Sequence, residues 1–259
     1  MTVLSESDQC AGSAIIRETL ALDVAANRSF EAHVVRPEQG RGLGILILTE
    51  MWGVTRSKLE LAETYARSGF CVLVPNVFWR SQFPGVLGDE GPERERAWER
   101  LRAFDFGVAG KDLGKAVAWL RGCPSCTGKV AAVGFCLGGR LAFLAATRAK
   151  ADAAISLYAL GIAEHLDEMA QAPGPVQLHY GLADIHIPLT EIEAVSSAAA
   201  PFSNISIYRY PGVGHGFFNE NRAAYNAAAV ALAEERIERL FGMLGGDGAT
   251  HRVGGKQLA

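Results

Sequence analysis

The chain has 259 residues, 49% of them hydrophobic and 20% charged, with a formal net charge of -3. That is a globular balance, with enough length for a sizeable core. It offers no basic surface for nucleic acid, and no apolar run approaches the ~20 residues that a membrane-spanning helix requires.

In chain order, MTVLSESDQC has neither a basic start nor an apolar stretch, so no secretory signal is read there and a cytoplasmic location is expected. Residues 1–12 are expected to be loose. Ile15–Leu22 and Ser29–Val35 read as strands of mixed character, suited to an antiparallel hairpin at a sheet edge. Gly44–Thr49 is apolar at successive positions, the pattern of a strand buried on both faces of a parallel sheet. A helix follows over Ser57–Ser68, with Leu59, Ala62 and Ala66 on one face and Gly69 placed to end it.

Phe70–Pro75 reads as the next strand. Two helices follow: Pro92–Phe104, charged enough to keep one side in water, and Val108–Arg121. Lys129–Val133 is a strand, and Arg140–Arg148 is so apolar that it predicts a helix sunk into the domain. Ala153–Tyr158, Pro175–Tyr180 and Ile205–Tyr210 complete the strands. Val230, Ala233, Ile237, Leu240 and Leu244 recur at helical spacing, and residues 245–259 lack any period and are expected to be disordered. Strands alternating with helices predict one α/β domain over 13–244, its mostly parallel central sheet carrying helices on both faces.

The five cysteines are an odd number, which does not fit a disulfide framework. Cys71 sits in an apolar run and reads as core. Cys123-Pro-Ser-Cys126 has redox or metal spacing, but no second pair accompanies it and it precedes a strand, so loop thiols are expected. Cys136 is different. It stands between a strand and a helix in VGFCLGG, flanked by glycines that tolerate a sharp turn and a close helix–strand approach.

In open α/β sheets, functional residues gather beyond the carboxyl ends of the strands. Cys136, Glu50, Asp184 and His215 each follow a different strand, in the segments GFCLGG, LTEMWG, GLADIHIP and PGVGHGF. Cys, Asp, His is the nucleophile–acid–base order of α/β-hydrolases, with cysteine in the more common serine's place, and no G-x-S-x-G competes. His215 is suited to take the thiol proton and return it to a leaving group, with Asp184 holding the imidazole. The helix N-terminus aims amides at the sulfur, so the Leu137 N–H, with that of Met51 at the neighbouring strand end, is a candidate oxyanion donor. Taken singly, each residue has a blander reading as packing, a turn or surface; what favours catalysis is their order and their equivalent positions.

GFCLGG, LTEMWGV, GLADIHIP and GVGHGF together resemble the dienelactone hydrolases, in the α/β-hydrolase superfamily, over residues from about 15 to about 244. The resemblance also covers Asn76-Val-Phe-Trp-Arg80 and the helix ending Leu101-Arg-Ala-Phe-Asp105. It implies an α/β-hydrolase fold, Cys136 as nucleophile, and Asp184 and His215 as its partners. It also implies that Glu50 governs the resting state of the thiol and takes its proton when substrate displaces the carboxylate; a structural hydrogen bond is the other reading of Glu50. Arg80 matches an arginine that binds the substrate carboxylate, against a plain surface ion pair. Asn219 stands four residues beyond His215, where the family has a second arginine, which weakens the case for the usual dienelactone. Trp52, Tyr158 and Phe217 either line an apolar pocket or are core.

The expectation is therefore a lactone or small activated-ester hydrolase working through an acyl-thioester. It needs no metal or organic cofactor, acts as a monomer or weak homo-oligomer, and takes a small substrate that is anionic if Arg80 binds it. A carboxylesterase or thioesterase on the same scaffold is one alternative. A non-catalytic ligand-binding or thiol-redox protein using Cys136 or the Cys123–Cys126 pair is the other.

Overall fold

The computed structural model describes residues 14–25 and 27–245. Among them, eight strands form one sheet: β1 (Ile15–Ala25), β2 (Arg28–Pro37), β3 (Gly42–Leu48), β4 (Cys71–Pro75), β5 (Cys126–Phe135), β6 (Ala153–Leu157), β7 (Val176–Gly181) and β8 (Ile205–Tyr210). Their spatial order is β1-β2-β4-β3-β5-β6-β7-β8. β1 pairs antiparallel with β2, and β2 antiparallel with β4; every other pairing is parallel. The hairpin expected at one edge is there. β3, β4 and β6 are buried at every residue, as strands covered on both faces must be.

The helices are α1 (Arg56–Arg67), α2 (Gly91–Arg102), α3 (Phe106–Gly122), α4 (Leu137–Thr147), α5 (Leu189–Ala199) and α6 (Ala227–Gly245). α1 and α6 meet through Tyr65 and Phe241, edge to face at 6.0 Å, while α3 packs against α4. α4 is buried along its whole length, including Arg140. Its guanidinium is held by Glu164 and His165 and lies over the Phe106 ring, which lets a charge stay inside.

Two helical segments had no counterpart in the sequence reading. Ile162–Gln171 is a 3₁₀ stretch without a side-chain cap and broken by a kink at His165, so its Ile162, Leu166 and Met169 make only a short apolar stripe. α5 begins directly after Pro188 without a side-chain cap, and its serines and alanines blur the apolar stripe. Cys123 and Cys126 are also not the loop thiols expected. Cys123 caps α3 and Cys126 opens β5, both buried, and the Cys71 and Cys123 sulfurs lie 3.5 Å apart as free thiols. Burial pushes the Cys71 thiol well up, so it stays protonated. The loose ends expected at 1–12 and 246–259 lie outside the described residues; Gly245 is the last residue of α6.

The start of α4 depends on two missing side chains. A Cβ on Gly134 would stand 1.7 Å from the Gly138 carbonyl oxygen, and one on Gly138 would stand 2.0 Å from that of Leu48. Both obstacles are backbone, so neither moves aside. Gly138→Ala is expected to destabilise the fold by about 3 kcal/mol or more in urea unfolding. Gly114→Ala, in α3 with nothing within 4 Å of the added carbon, should instead stabilise it by about 0.5–1 kcal/mol. Equal effects at the two positions would refute this account of the packing.

Candidate active site

Cys136 occupies the turn between β5 and α4 with φ 55° and ψ -117°, a conformation that costs a non-glycine residue of order 1–3 kcal/mol. Its amide donates to the Leu157 carbonyl at 2.9 Å, and its own carbonyl accepts from Gly139 at 2.9 Å, so the strained turn is pinned from both sides. The side chain is thereby presented at the floor of a cavity of about 400 Å³. Glu50, Met51, Trp52, Tyr158, His215 and Asn219 line the same cavity.

His215 follows β8 and Asp184 follows β7. The imidazole Nδ1–H donates to Asp184 Oδ2 at 2.7 Å, and the backbone amide of His186 donates to Asp184 Oδ1 at 2.8 Å. Both carboxylate oxygens are thus committed, and the buried Asp184 side chain is fully shielded from water. With Nδ1 engaged, Nε2 is the nitrogen left for the cavity. Burial lowers the proton affinity of His215, but Asp184 and the Cys136 sulfur more than offset it and bring its pKa up to about 10. Sulfur and imidazole, remote in sequence, line one cavity here, and the carboxylate holds the imidazole.

Of the two candidate oxyanion donors, Met51 lines the cavity and Leu137 opens α4 directly after Cys136. Neither donates to a backbone or side-chain acceptor among the described residues. Leu137 is the first residue of α4, where amides have no intrahelical partner.

Glu50 is buried and paired with Lys58 of α1 at 3.2 Å, and the ammonium lies 3.9 Å above the Phe135 ring. Lys58 had no sequence signal beyond its own charge. Its place on the buried face of an amphipathic helix is the clue that was passed over, since a lysine there needs a partner. Tyr158 closes β6 with φ 42°, its ring edge-on to His215 at 5.1 Å. Its buried hydroxyl has no hydrogen-bond partner among the described residues. Burial first, then Glu50 and Cys136, hold this phenol well above its ordinary pKa, so it remains a donor.

Two residues expected at the substrate lie elsewhere. Arg80 lines a separate cavity of about 240 Å³, because its guanidinium is drawn to Asp112 at 2.7 Å and stacks on Trp79 at 3.6 Å. Phe217 is fully buried behind Tyr158, against Tyr210, and is core. Other residues, unforeseen, reach the cavity instead: Arg222, Arg94, Trp98 and His186. Arg222 pairs with Asp89 at 2.8 Å and lies 5.0 Å over the Trp52 ring. It stands three residues past Asn219 and brings a guanidinium to the cavity wall. No group of three or more His, Cys, Asp or Glu side chains suited to a metal ion occurs among the described residues, and no described helix is long and apolar enough to cross a membrane.

A mostly parallel sheet with a sharp strand-to-helix turn after a central strand, and an aspartate and a histidine after β7 and β8, is the architecture of an α/β-hydrolase. The chain matches the dienelactone hydrolase family over residues 30–244. It is 30% identical to the carboxymethylenebutenolidase of Pseudomonas putida over 224 residues, covering 86% of this chain and 94% of that one. It is 31% identical to carboxymethylenebutenolidase 1 of Cupriavidus pinatubonensis over 217 residues, covering 83% and 92%. Among solved structures, a dienelactone hydrolase-like promiscuous phosphotriesterase from metagenomic libraries superposes with a TM-score of 0.76 at 19% identity, covering 90% of this chain and 100% of that one. The dienelactone hydrolase of Anabaena variabilis superposes with a TM-score of 0.61 at 19% identity, covering 85% and 96%. The chain belongs to the dienelactone hydrolase family, and is a hydrolase of that family.

The raised His215 has a consequence for stability. Its pKa in the folded chain, about 10, exceeds the ordinary 6.5, so its contribution is complete below pH ~6.5 and is lost as pH climbs through about 10. Nuclear magnetic resonance of labelled histidine should find the midpoint near pH 10, and Cys136→Ala should lower it by removing one of the two groups that raise it. An unchanged midpoint in that variant would show that sulfur and imidazole do not interact.

Proposed function

We propose that this hydrolase cleaves lactones or small activated esters with Cys136 as its nucleophile. The observation that carries the reading is the strained turn that presents Cys136 to the cavity shared with an Asp184-bound imidazole. Strain of that kind persists only when surrounding packing enforces it, and it aims one side chain at one place.

The chemistry follows from the groups present. His215 already holds the shared proton on Nε2, as its raised proton affinity requires, so the sulfur attacks the ester carbonyl carbon directly and the carbonyl π pair moves onto oxygen. The Met51 and Leu137 amides stabilise that oxyanion. Collapse of the intermediate breaks the bond to the alkoxy oxygen, which takes the proton from His215; in a lactone the freed alcohol stays tethered. Water then attacks the thioester and gives a proton to His215; the carbon–sulfur bond breaks, the carboxylic acid leaves, and the sulfur beside a protonated His215 is restored. Asp184 holds the imidazole and stabilises its charged form throughout. Tyr158, protonated and beside Glu50, is a candidate donor to a substrate oxygen. Moving Glu50 off Lys58 would leave a buried ammonium unpaired, which costs several kcal/mol. Proton transfer is therefore assigned to His215, with Glu50 kept as the charge that balances Lys58.

Arg222 supports an anionic substrate. Its planar fork suits a carboxylate, and Asp89 holds it at the cavity wall. A thiol-redox role finds little support, because Cys71, Cys123 and Cys126 are buried well away from the cavity lining.

Cys136→Ala should abolish hydrolysis of both an aryl ester and a dienelactone, and mass spectrometry of wild type quenched during turnover should find the acyl group on Cys136. Wild-type rates in that variant would end the proposal. Arg222→Ala is expected to raise KM about tenfold or more for a carboxylate-bearing lactone while leaving a neutral aryl ester nearly unaffected. A uniform effect on both would favour a carboxylesterase of neutral substrates.

A further inference from the structure

Arg100 of α2 is buried to 2% exposure, yet no carboxylate pairs with it among the described residues. Its guanidinium is spent on main-chain carbonyls instead. It donates to Phe83 and Gly85 at 2.7 Å each, donates to Met51 as well, and lies 3.8 Å above the Phe78 ring. A buried cation is costly, and carbonyls compensate it less well than a carboxylate. Burial lowers its pKa to about 10, which still leaves it charged at neutral pH.

What these bonds fix is the turn after β3. The Glu50 carbonyl belongs to the same peptide plane as the Met51 N–H, and it accepts from the Gly53 amide at 3.1 Å. The Met51 carbonyl belongs to the next plane and is held by Arg100. The Trp52 carbonyl accepts from the Leu87 amide at 3.0 Å, in the segment that Arg100 grips at Phe83 and Gly85. Both planes flanking Met51 are thereby pinned, one by the turn itself and one by the guanidinium. Gly53, at φ 86°, completes the turn with its Cα facing the Gly85 carbonyl.

We propose that Arg100 is a positioning residue for the oxyanion site: by holding the Met51 carbonyl and the 83–87 segment it aims the Met51 N–H at the oxygen of the tetrahedral intermediate. The inference rests on the cysteine-hydrolase reading above. Arg100 is absent from the lining of the Cys136 cavity, so it acts through Met51 and not by touching substrate. Its loss should therefore be felt in the transition state and hardly in substrate binding.

The test is Arg100→Gln, assayed with an aryl ester. kcat should fall by about tenfold to a hundredfold with KM nearly unchanged. Alkylation of Cys136 by iodoacetamide needs no oxyanion, and its rate should stay within about twofold of wild type. A reversible aldehyde probe adds sulfur to its carbonyl carbon while its oxygen takes the thiol proton. That adduct places an oxygen in the oxyanion site, so its affinity should weaken in step with kcat. Arg100→Lys keeps the charge and one carbonyl contact and should fall between the two.

A folded Arg100→Gln with wild-type kcat overturns the proposal, as does an equal fall in kcat and alkylation rate. If the glutamine variant does not fold, the lysine variant carries the comparison; collapse of both makes Arg100 a folding residue and overturns the positioning role. Cys136→Ala in the same assay separates the two ideas. Wild-type turnover there defeats the thiol reading, whereas lost turnover there beside an unaffected Arg100→Gln defeats only the role of Arg100.

Discussion

Bare backbone against backbone, where α4 meets β3 and β5, is the contact on which the site depends. Gly138 lies so close to the Leu48 carbonyl that no side chain fits between them, and Gly134 stands in the same relation to Gly138. This approach lets the chain turn from strand to helix within one residue. That residue, Cys136, absorbs the cost as a left-handed backbone conformation. The apolar burial of α4 along its whole length supplies the compensation, since every turn of the helix is anchored in the core. Sulfur and the Leu137 amide are consequently placed by a helix that is buried at every residue.

Around that rigid centre the charges are distributed by pairing. Asp184 is wholly shielded and gives one oxygen to His215 and the other to the His186 amide. Glu50 is matched by Lys58, and Arg100 by carbonyls. Each arrangement removes an uncompensated buried charge and at the same time fixes a direction: an imidazole, a carboxylate, a peptide plane. The arginines divide along the same lines. Asp112 and Trp79 draw Arg80 into a neighbouring cavity, while Asp89 and the Trp52 face hold Arg222 in the cavity that Cys136 lines. Local acceptors, more than position along the chain, decide which cation meets the substrate cavity.

All eight strands were legible because apolar runs such as Gly42–Leu48 and Cys71–Pro75 leave few other ways to bury so much surface. Cys136, Asp184, His215 and Glu50 were legible for a topological reason: each follows a strand, and parallel strands deliver their ends to one rim. α5 was missed because it carries neither a clear apolar period nor a side-chain cap; the 3₁₀ segment has Ile162, Leu166 and Met169 at helical spacing but is uncapped and kinked at His165. Lys58, Arg100 and Arg222 were missed because a long flexible side chain is assigned by its acceptors. Those acceptors, Glu50, the Met51 carbonyl and Asp89, lie 8, 49 and 133 residues away in sequence.

The amino-acid sequence by itself determined the α/β alternation, the glycine-flanked turn at the cysteine, and the order of Cys136, Asp184 and His215 along the strand ends. These depend on local periodicity and on residue identity, which a linear string carries. Only the tertiary structure decided that Arg80 leaves the cavity, that Arg222 enters it, that Phe217 is core, and that a buried arginine grips the turn behind Met51. Those outcomes are set by which carboxylate, carbonyl or ring stands within a few ångströms of a side chain once the sheet has closed. Distances of that kind exist only after residues far apart in the chain have packed.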